Sequence, residues 1–214
     1  MLRINPFLLA IYLACGNDSM DGGLTIGDVA FADPELQECF EQDTFGFRGE
    51  WDVSLVEQLE CSMPAHDIRD LTGIEVLVGL KFLSVVESKE LGSLTPLLQL
   101  PSLIDLELRK SNVGHDDLAI IAQLTRLEWL NLDFVNDLGD VTSLNRLVHM
   151  KSINLQGSGV TAGIASFVSM TRLVQGFFSS NPDSPCEDLS ILRAAFPDAL
   201  IWPVEPQPGI TCAE

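Results

Sequence analysis

Leu77-Val78-Gly79-Leu80-Lys81-Phe82-Leu83-Ser84-Val85-Val86-Glu87-Ser88 and, 23 residues on, Leu100-Pro101-Ser102-Leu103-Ile104-Asp105-Leu106-Glu107-Leu108-Arg109-Lys110-Ser111 are two copies of one phrase, Leu-x-x-Leu-x-x-Leu-x-Leu-x-x-Ser with small substitutions. Further copies begin at Leu124 and Leu147, keeping a spacing of 23 or 24 residues, and a frayed fifth is placed at Phe167. A unit this short buries its apolar side chains only by stacking on its neighbours, so the period predicts a solenoid. Within each copy two apolar residues separated by one alternate inward on a short strand: Leu83 and Val85, Leu106 and Leu108, Leu130 and Leu132, Ile153 and Leu155. The expected class is α/β, with a short-stranded parallel sheet on the concave face and helical turns or loops on the convex face. Leu91, Leu94 and Leu97, and again Leu138, Val141 and Leu144, supply the opposite wall. Asp116 to Ala122 reads as a helical turn capped by Asp116.

Outside the repeats the chain divides by composition. Residues 1–14 carry one cation, Arg3, and then the apolar run Phe7–Ala14, which is too short to span a bilayer and has the shape of a secretory signal. Leu13-Ala14-Cys15-Gly16 resembles a bacterial lipobox, although Tyr12 stands where an aliphatic residue is usual. That resemblance implies a lipid on Cys15. Residues 15–30, polar and glycine-rich at Asn17–Gly23, are expected to form a flexible tether. Residues 31–76 are expected to be an N-terminal cap and a first repeat-like turn. There Asp33 caps a short helix that begins at Pro34 and places Leu36, Cys39 and Phe40 on one side. Leu59 and Cys61 follow on a repeat-like strand. The repeats run over 77–180, and the proline-rich 181–214 closes the stack.

At 214 residues the chain suits one domain with a substantial interior. Twelve Lys and Arg against 31 Asp and Glu leave a net charge of −19. Nucleic acid needs clustered cations, so it is excluded as a partner, and an anionic membrane surface is disfavoured for the same reason. Contact with a membrane is expected only through the N-terminal lipid. With Cys15 set aside, four cysteines remain and permit three connectivities. Two of these would bridge the full length of a solenoid, so local pairing of Cys39 with Cys61 and of Cys186 with Cys212 is favoured. Such pairing accords with an exported protein.

Phe31-x-Asp33-x-x-Leu36, then Asp70-Leu71-Thr72-Gly73-Ile74-Glu75-x-Leu77, then the iterated phrase, resemble the capped leucine-rich-repeat proteins that bacteria export, with spacing similar to the internalin type. The resemblance covers roughly Phe31 to Trp202. It implies the fold and a binding role, but not a ligand, because these proteins share a scaffold and not a partner. Two departures matter: the units run 23 or 24 residues instead of a strict shorter period, and the Asn that usually closes the phrase is Ser88, Ser111, Val135 and Ser158, so a ladder of Asn side chains is not expected.

With the inward positions fixed, the residues between them face the concavity in columns. The first runs Phe82, Asp105, Trp129, Ser152, Arg172, and the second Ser84, Glu107, Asn131, Asn154, Val174. A third holds Val86, Arg109, Asp133, Gln156 and Gly176, and a fourth Glu87, Lys110, Phe134, Gly157 and Phe177. The candidate binding residues are Phe82, Asp105, Glu107, Arg109, Trp129, Asn131, Asp133, Phe134, Asn154 and Gln156. Trp129 and Phe134 are expected to stand exposed among charges, the composition of a binding hot spot. A competing reading folds Phe82, Phe134 and Phe177 over the sheet edge as packing.

Asp105 and Glu107 lie two positions apart on one strand, roughly 6–7 Å of backbone, a separation that paired-carboxylate glycosidases use. A flat open sheet does not desolvate a general acid, so glycoside hydrolysis is a remote alternative. His66, His115 and His149 occupy unrelated places in the repeat, and no metal or other cofactor is expected. The reading is a non-enzymatic, exported, lipid-anchored protein of the cell envelope, periplasmic or surface-exposed, that recognises a protein or polysaccharide on its concave face. The alternative is an architectural spacer or assembly element with no specific ligand there.

Overall fold

A computed structural model describes residues 23–46, 51–62 and 66–202. In chain order its strands are β1 (Gln58–Cys61), β2 (Phe82–Val85), β3 (Asp105–Glu107), β4 (Trp129–Asn131), β5 (Gly139–Asp140), β6 (Ser152–Asn154), β7 (Val160–Ala162), β8 (Gln175–Phe177) and β9 (Leu200–Trp202). Seven of them form one parallel sheet in the order β1-β2-β3-β4-β6-β8-β9, and β5 pairs with β7 in a separate ladder. The register follows the repeat: Leu59, Leu83, Leu106, Leu130 and Ile153 are successive partners, and all are buried. The return path is made mostly of short 3-10 turns at Ile74–Val76, Thr95–Gln99, His115–Asp117, Thr142–Arg146 and Ile164–Ser169. Ile74, Leu97, Leu144 and Ile164 point from these turns into the same core. The result is the leucine-rich-repeat solenoid that the phrase predicts.

Each coil leaves the sheet at one fixed point. Glu87, Lys110, Phe134, Gly157 and Ser180, which hold the same place in successive copies, have φ of 63°, 57°, 52°, 62° and 60°. A left-handed residue there turns the chain out of the strand, and four of the five positions accept the cost that a side chain adds to that conformation. At Gly157 a further constraint applies, because a Cβ would stand 2.6 Å from the ring of Phe134.

Hydroxyl groups then stitch coil to coil. Ser88 Oγ donates to His66 O at 2.9 Å and accepts from Ile68 N at 3.1 Å. Ser111 Oγ donates to Val85 O at 3.1 Å and accepts from Ser88 N at 3.1 Å. Ser158 Oγ reaches Leu132 O at 2.5 Å. These bonds satisfy backbone groups that no strand or helix ladder reaches.

Several expectations change. The fifth copy begins at Met170, not Phe167, since β6 pairs Ile153 with Gly176. Phe167 belongs to the preceding turn, in the line Ile74, Leu97, Ile121, Leu144, so a three-residue slip preserves an apolar pattern; Gly176 in the leucine column completes the disguise. The room its missing side chain leaves is taken by Phe178, whose ring would lie 2.5 Å from a Cβ there. In the corrected frame Asn181 closes the fifth phrase: its Nδ2 donates to Leu155 O at 2.8 Å and its Oδ1 accepts from Ser158 N and Val160 N, each at 3.1 Å. One asparagine therefore does join the ladder. Asp116 caps nothing; the neighbouring Asp117 accepts from Gly114 N at 2.9 Å and starts the turn that runs into α2 (Leu118–Ile121).

At the N-terminal end α1 (Pro34–Asp43) buries Leu36, Cys39 and Phe40 over the edge of the sheet, with Asp33 as its cap. A Cys39–Cys61 disulfide fastens it to β1, with Cα atoms 5.4 Å apart. Part of the stretch expected as a tether over 15–30 is folded. Ile26 and Val29 are buried in the core, and Ile26 N and Leu24 O bond to Trp51 O and Val53 N at 2.8 and 3.0 Å. At the other end α3 (Cys186–Ala195) packs on the Ile164–Ser169 turn, and Cys186 is disulfide-bonded. The stretch 1–14 expected as a signal, the expected lipid site Cys15, and Cys212 lie outside the described residues.

Candidate functional site

The alternation of the strands puts two columns on the concave face. Register aligns Phe82, Asp105, Trp129, Ser152, Gln175 and Leu200 in one, and Ser84, Glu107, Asn131, Asn154, Phe177 and Trp202 in the other. For the first four strands of each column this is the arrangement read from the sequence. The fifth repeat is corrected: Gln175 replaces Arg172, and Phe177 replaces Val174 and so moves inward from the outer column. Phe177 thereby joins Trp202 at the C-terminal end of the sheet, an aromatic pair hidden from the sequence by the slipped frame.

Glu107 is the hub of the polar part. Its Oε2 accepts from Ser84 Oγ at 2.7 Å, its Oε1 from Asn131 Nδ2 at 3.1 Å, and Arg109 Nε lies 3.5 Å from Oε1. Asn131 is consequently 8 % exposed, not open to a ligand as expected, and its Oδ1 accepts from Asp133 N at 3.1 Å. Asn154 accepts from Gln156 N at 3.0 Å in the same turn geometry one coil on. Arg109 Nε and Asp133 Oδ1 are buried without a hydrogen-bond partner among the described residues. Burial pushes the Asp133 carboxyl above its ordinary range; Arg109 and Lys110 oppose the shift and Glu107 adds to it.

The aromatic part lies one column over. Phe82 and Trp129 flank Asp105, one on each neighbouring strand, and their rings meet across it with centroids 6.3 Å apart. Both are half-buried, so Trp129 is not the freely exposed ring that the sequence implies; each ring covers part of the other. Phe134 remains 48 % exposed at the sheet margin, leaning over Gly157. The packing and binding readings of these phenylalanines thus both hold in part. On the strand between them, burial pushes the Asp105 carboxyl above its ordinary range and Glu128 adds to the shift, against Lys151.

Flanking ion pairs step from coil to coil: Lys81 with Glu57 at 2.5 Å, Lys110 with Glu87 at 3.0 Å, Lys151 with Glu128 at 2.5 Å. Away from the sheet, Glu35, Glu38 and His66 bring ligand-type atoms within 4.8 Å of one another. His66 Nδ1 lies 3.3 Å from Glu35 Oε2 there, a contact across 31 positions that no local motif signals.

Register, corrected columns and capped ends together define a leucine-rich-repeat solenoid with a mixed aromatic and acidic concave sheet. The solved structure of internalin C2 from Listeria monocytogenes is similar over 86 % of this chain and 88 % of its own, with TM-score 0.61 and 20 % identity. A leucine-rich-repeat protein of Leptospira interrogans matches over 60 % of this chain with TM-score 0.52 and 22 % identity, and this chain spans only 32 % of its length. Likeness at these identities concerns the fold alone. No protein-family model and no curated protein matches the sequence.

Proposed function

We propose that the protein is a non-enzymatic binding protein that presents its concave sheet to a protein or polysaccharide outside the cytoplasm. The observation that carries this reading is the juxtaposition of three aromatic rings, Phe82, Trp129 and Phe134, with Asp105, Asp133 and Arg109 on one open face. Aromatic anchors beside incompletely paired charges are what hot spots are made of. Catalysis is not part of the proposal: both oxygens of Glu107 are already engaged, so it is not poised to serve with Asp105 on a scissile bond.

Export is supported by the Cys39–Cys61 disulfide, a bond that persists in oxidising compartments. Among the described residues no helix is long and apolar enough to cross a membrane; attachment is proposed through a lipid on Cys15, on the strength of the lipobox-like Leu13-Ala14-Cys15-Gly16. In this proposal 1–14 is a signal, Cys15 carries the anchor, and a tether that ends before Leu24 holds the capped solenoid clear of the bilayer. The architectural alternative is favoured by one observation, the partial burial of Phe82 and Trp129 against each other.

The test is capture from the envelope fraction of the source cell with wild type, Trp129→Ala and Phe134→Ser, each first shown to fold by circular dichroism. Loss of a defined partner in both variants supports recognition by the concave face. Undiminished capture by both rejects it in favour of the spacer role.

A further inference from the structure

Most polar groups at the centre of the concave face have partners; among the described residues Arg109 Nε and Asp133 Oδ1 are buried without a hydrogen-bond partner, and Asp105 has no side-chain partner either. Glu107 has Ser84, Asn131 and Arg109; Ser152 accepts from Gln175 Nε2 at 2.8 Å; Glu128 holds Lys151. Asp105, centred among them, has neither a hydrogen bond nor an ion pair from any described side chain, and its cross-strand neighbours are the two rings. A half-buried carboxylate between aromatic neighbours has lost part of its water, and only the field of Lys151 offsets that loss.

From this geometry we infer that Phe82, Asp105 and Trp129 form a receptor for one organic cation, the ammonium or guanidinium group of a lysine or arginine side chain on a basic segment of a partner protein. The inference rests on the concave-face reading and narrows it to a chemical class. Three features select a cation. Ring faces attract positive charge through their quadrupole, most strongly for Trp. Asp105 accepts hydrogen bonds without being able to donate when ionised, so a guanidinium or ammonium, which only donates, matches it. A neutral sugar stacked on Trp129 would strip the remaining water from the carboxylate without neutralising it, whereas a cation does both. The field of the whole chain, net charge −19, draws basic segments toward the face and disfavours acidic ones. Burial that already raises the Asp105 pKa is relieved when a cation arrives, so occupancy should return that carboxyl toward its ordinary range.

The test uses the full chain and small probes, so that multivalent attraction to a highly acidic protein does not obscure the site. The indole N–H resonance of Trp129, assigned with Trp129→Phe, is followed while methylguanidinium or n-butylammonium chloride is added at constant ionic strength; methyl glucoside serves as the neutral probe. The expected result is a saturable shift with either cation, weakened roughly tenfold or more in Asp105→Asn. Asp198→Asn, which removes the same charge from an exposed position off the sheet, should titrate as wild type. The inference is overturned if neither cation gives a saturable shift, if Asp105→Asn binds as wild type does, or if methyl glucoside matches the cations. If envelope capture depends on Trp129 and Phe134 but not on Asp105, the cation receptor falls and recognition by the concave face stands.

Discussion

Asp33 ties the N-terminal cap to the first coil, and its removal is the sharpest test of that junction. Its Oδ1 accepts from Glu35 N at 2.9 Å and Leu36 N at 3.0 Å, and its Oδ2 from Arg69 N at 2.8 Å and Asp70 N at 2.9 Å. The residue is 6 % exposed. Asp33→Ala deletes four acceptor contacts at once, two from the helix start and two from a loop 36 and 37 positions away. Loss of the helix cap costs about 1 kcal/mol, and stranding the two loop amides costs about 1–3 kcal/mol each, toward the lower end because both are only partly buried. The expected destabilisation is about 3–4 kcal/mol. Urea unfolding with the disulfides intact measures it, and amide exchange at Arg69 and Asp70 should lose protection in step. A change below about 1 kcal/mol with those amides still protected would refute the reasoning. The pH dependence is a second check. Burial works to raise the Asp33 pKa, but the backbone donors Leu36, Arg69, Asp70 and Glu35 together outweigh it and hold the carboxyl below its ordinary range. A folded value below the unfolded one means that the contribution is complete above the ordinary carboxylate range and lost as pH falls through the folded value. The gap between wild type and variant should therefore hold from neutrality to about pH 4 and close below it.

Three further outcomes are expected. Gly157→Ala should cost about 1–3 kcal/mol in thermal or urea unfolding, and most of that cost should vanish in a Phe134→Ala background, because neighbouring coils tolerate side chains at the same φ and the clash lies with the Phe134 ring. Ser111→Ala removes a donor to Val85 O and an acceptor from Ser88 N in the buried ladder, for a loss of about 1–3 kcal/mol by the same measurement; Ser111→Thr should recover part of it. Asp105→Asn should stabilise the protein at neutral pH, since a carboxyl whose folded pKa is raised adds stability below its unfolded value and loses it as pH rises through the folded one; the gain over wild type should disappear in urea titrations below about pH 4.

How far such features can be read from sequence depends on whether a neighbour is fixed by the period or by side-chain reach. The inward positions Leu83, Leu106, Leu130 and Ile153 were legible because a strand fixes the direction of Cβ and the period fixes the partner. The Asp33 cap was legible for a local reason, Asp followed by Pro at the first helical position. Its second pair of bonds, to Arg69 and Asp70, was not, since nothing periodic links a cap to the loop it closes on. The fifth copy slipped because Phe167, Met170 and Leu173 repeat the three-residue step that opens every phrase, while Gly176 removes the apolar marker that would have set the frame.

The concave face illustrates the harder half of the problem. Periodicity assigns Asn131, Trp129 and Asp105 to their columns correctly, yet the exposure of each is decided by the chemistry of the strands beside it. Asn131 is drawn in because Glu107 and the Asp133 amide both need it, and Trp129 is half-covered because Phe82 reaches across an intervening strand to meet it. Asp105 is left where those two solutions adjoin, with a ring on each neighbouring strand and the Glu107 network in the next column. Two places along the same column, Ser152 shows that a small hydroxyl finds a partner there by accepting from Gln175 on the next strand. A carboxylate in place of such a group is expected to weaken the fold at neutral pH, on a face that a partner can reach. The unpaired charge that lowers stability is thus the same property that gives a cationic side chain something to bind, and Asp105→Asn should move the two in opposite directions, raising the unfolding midpoint as it removes the receptor.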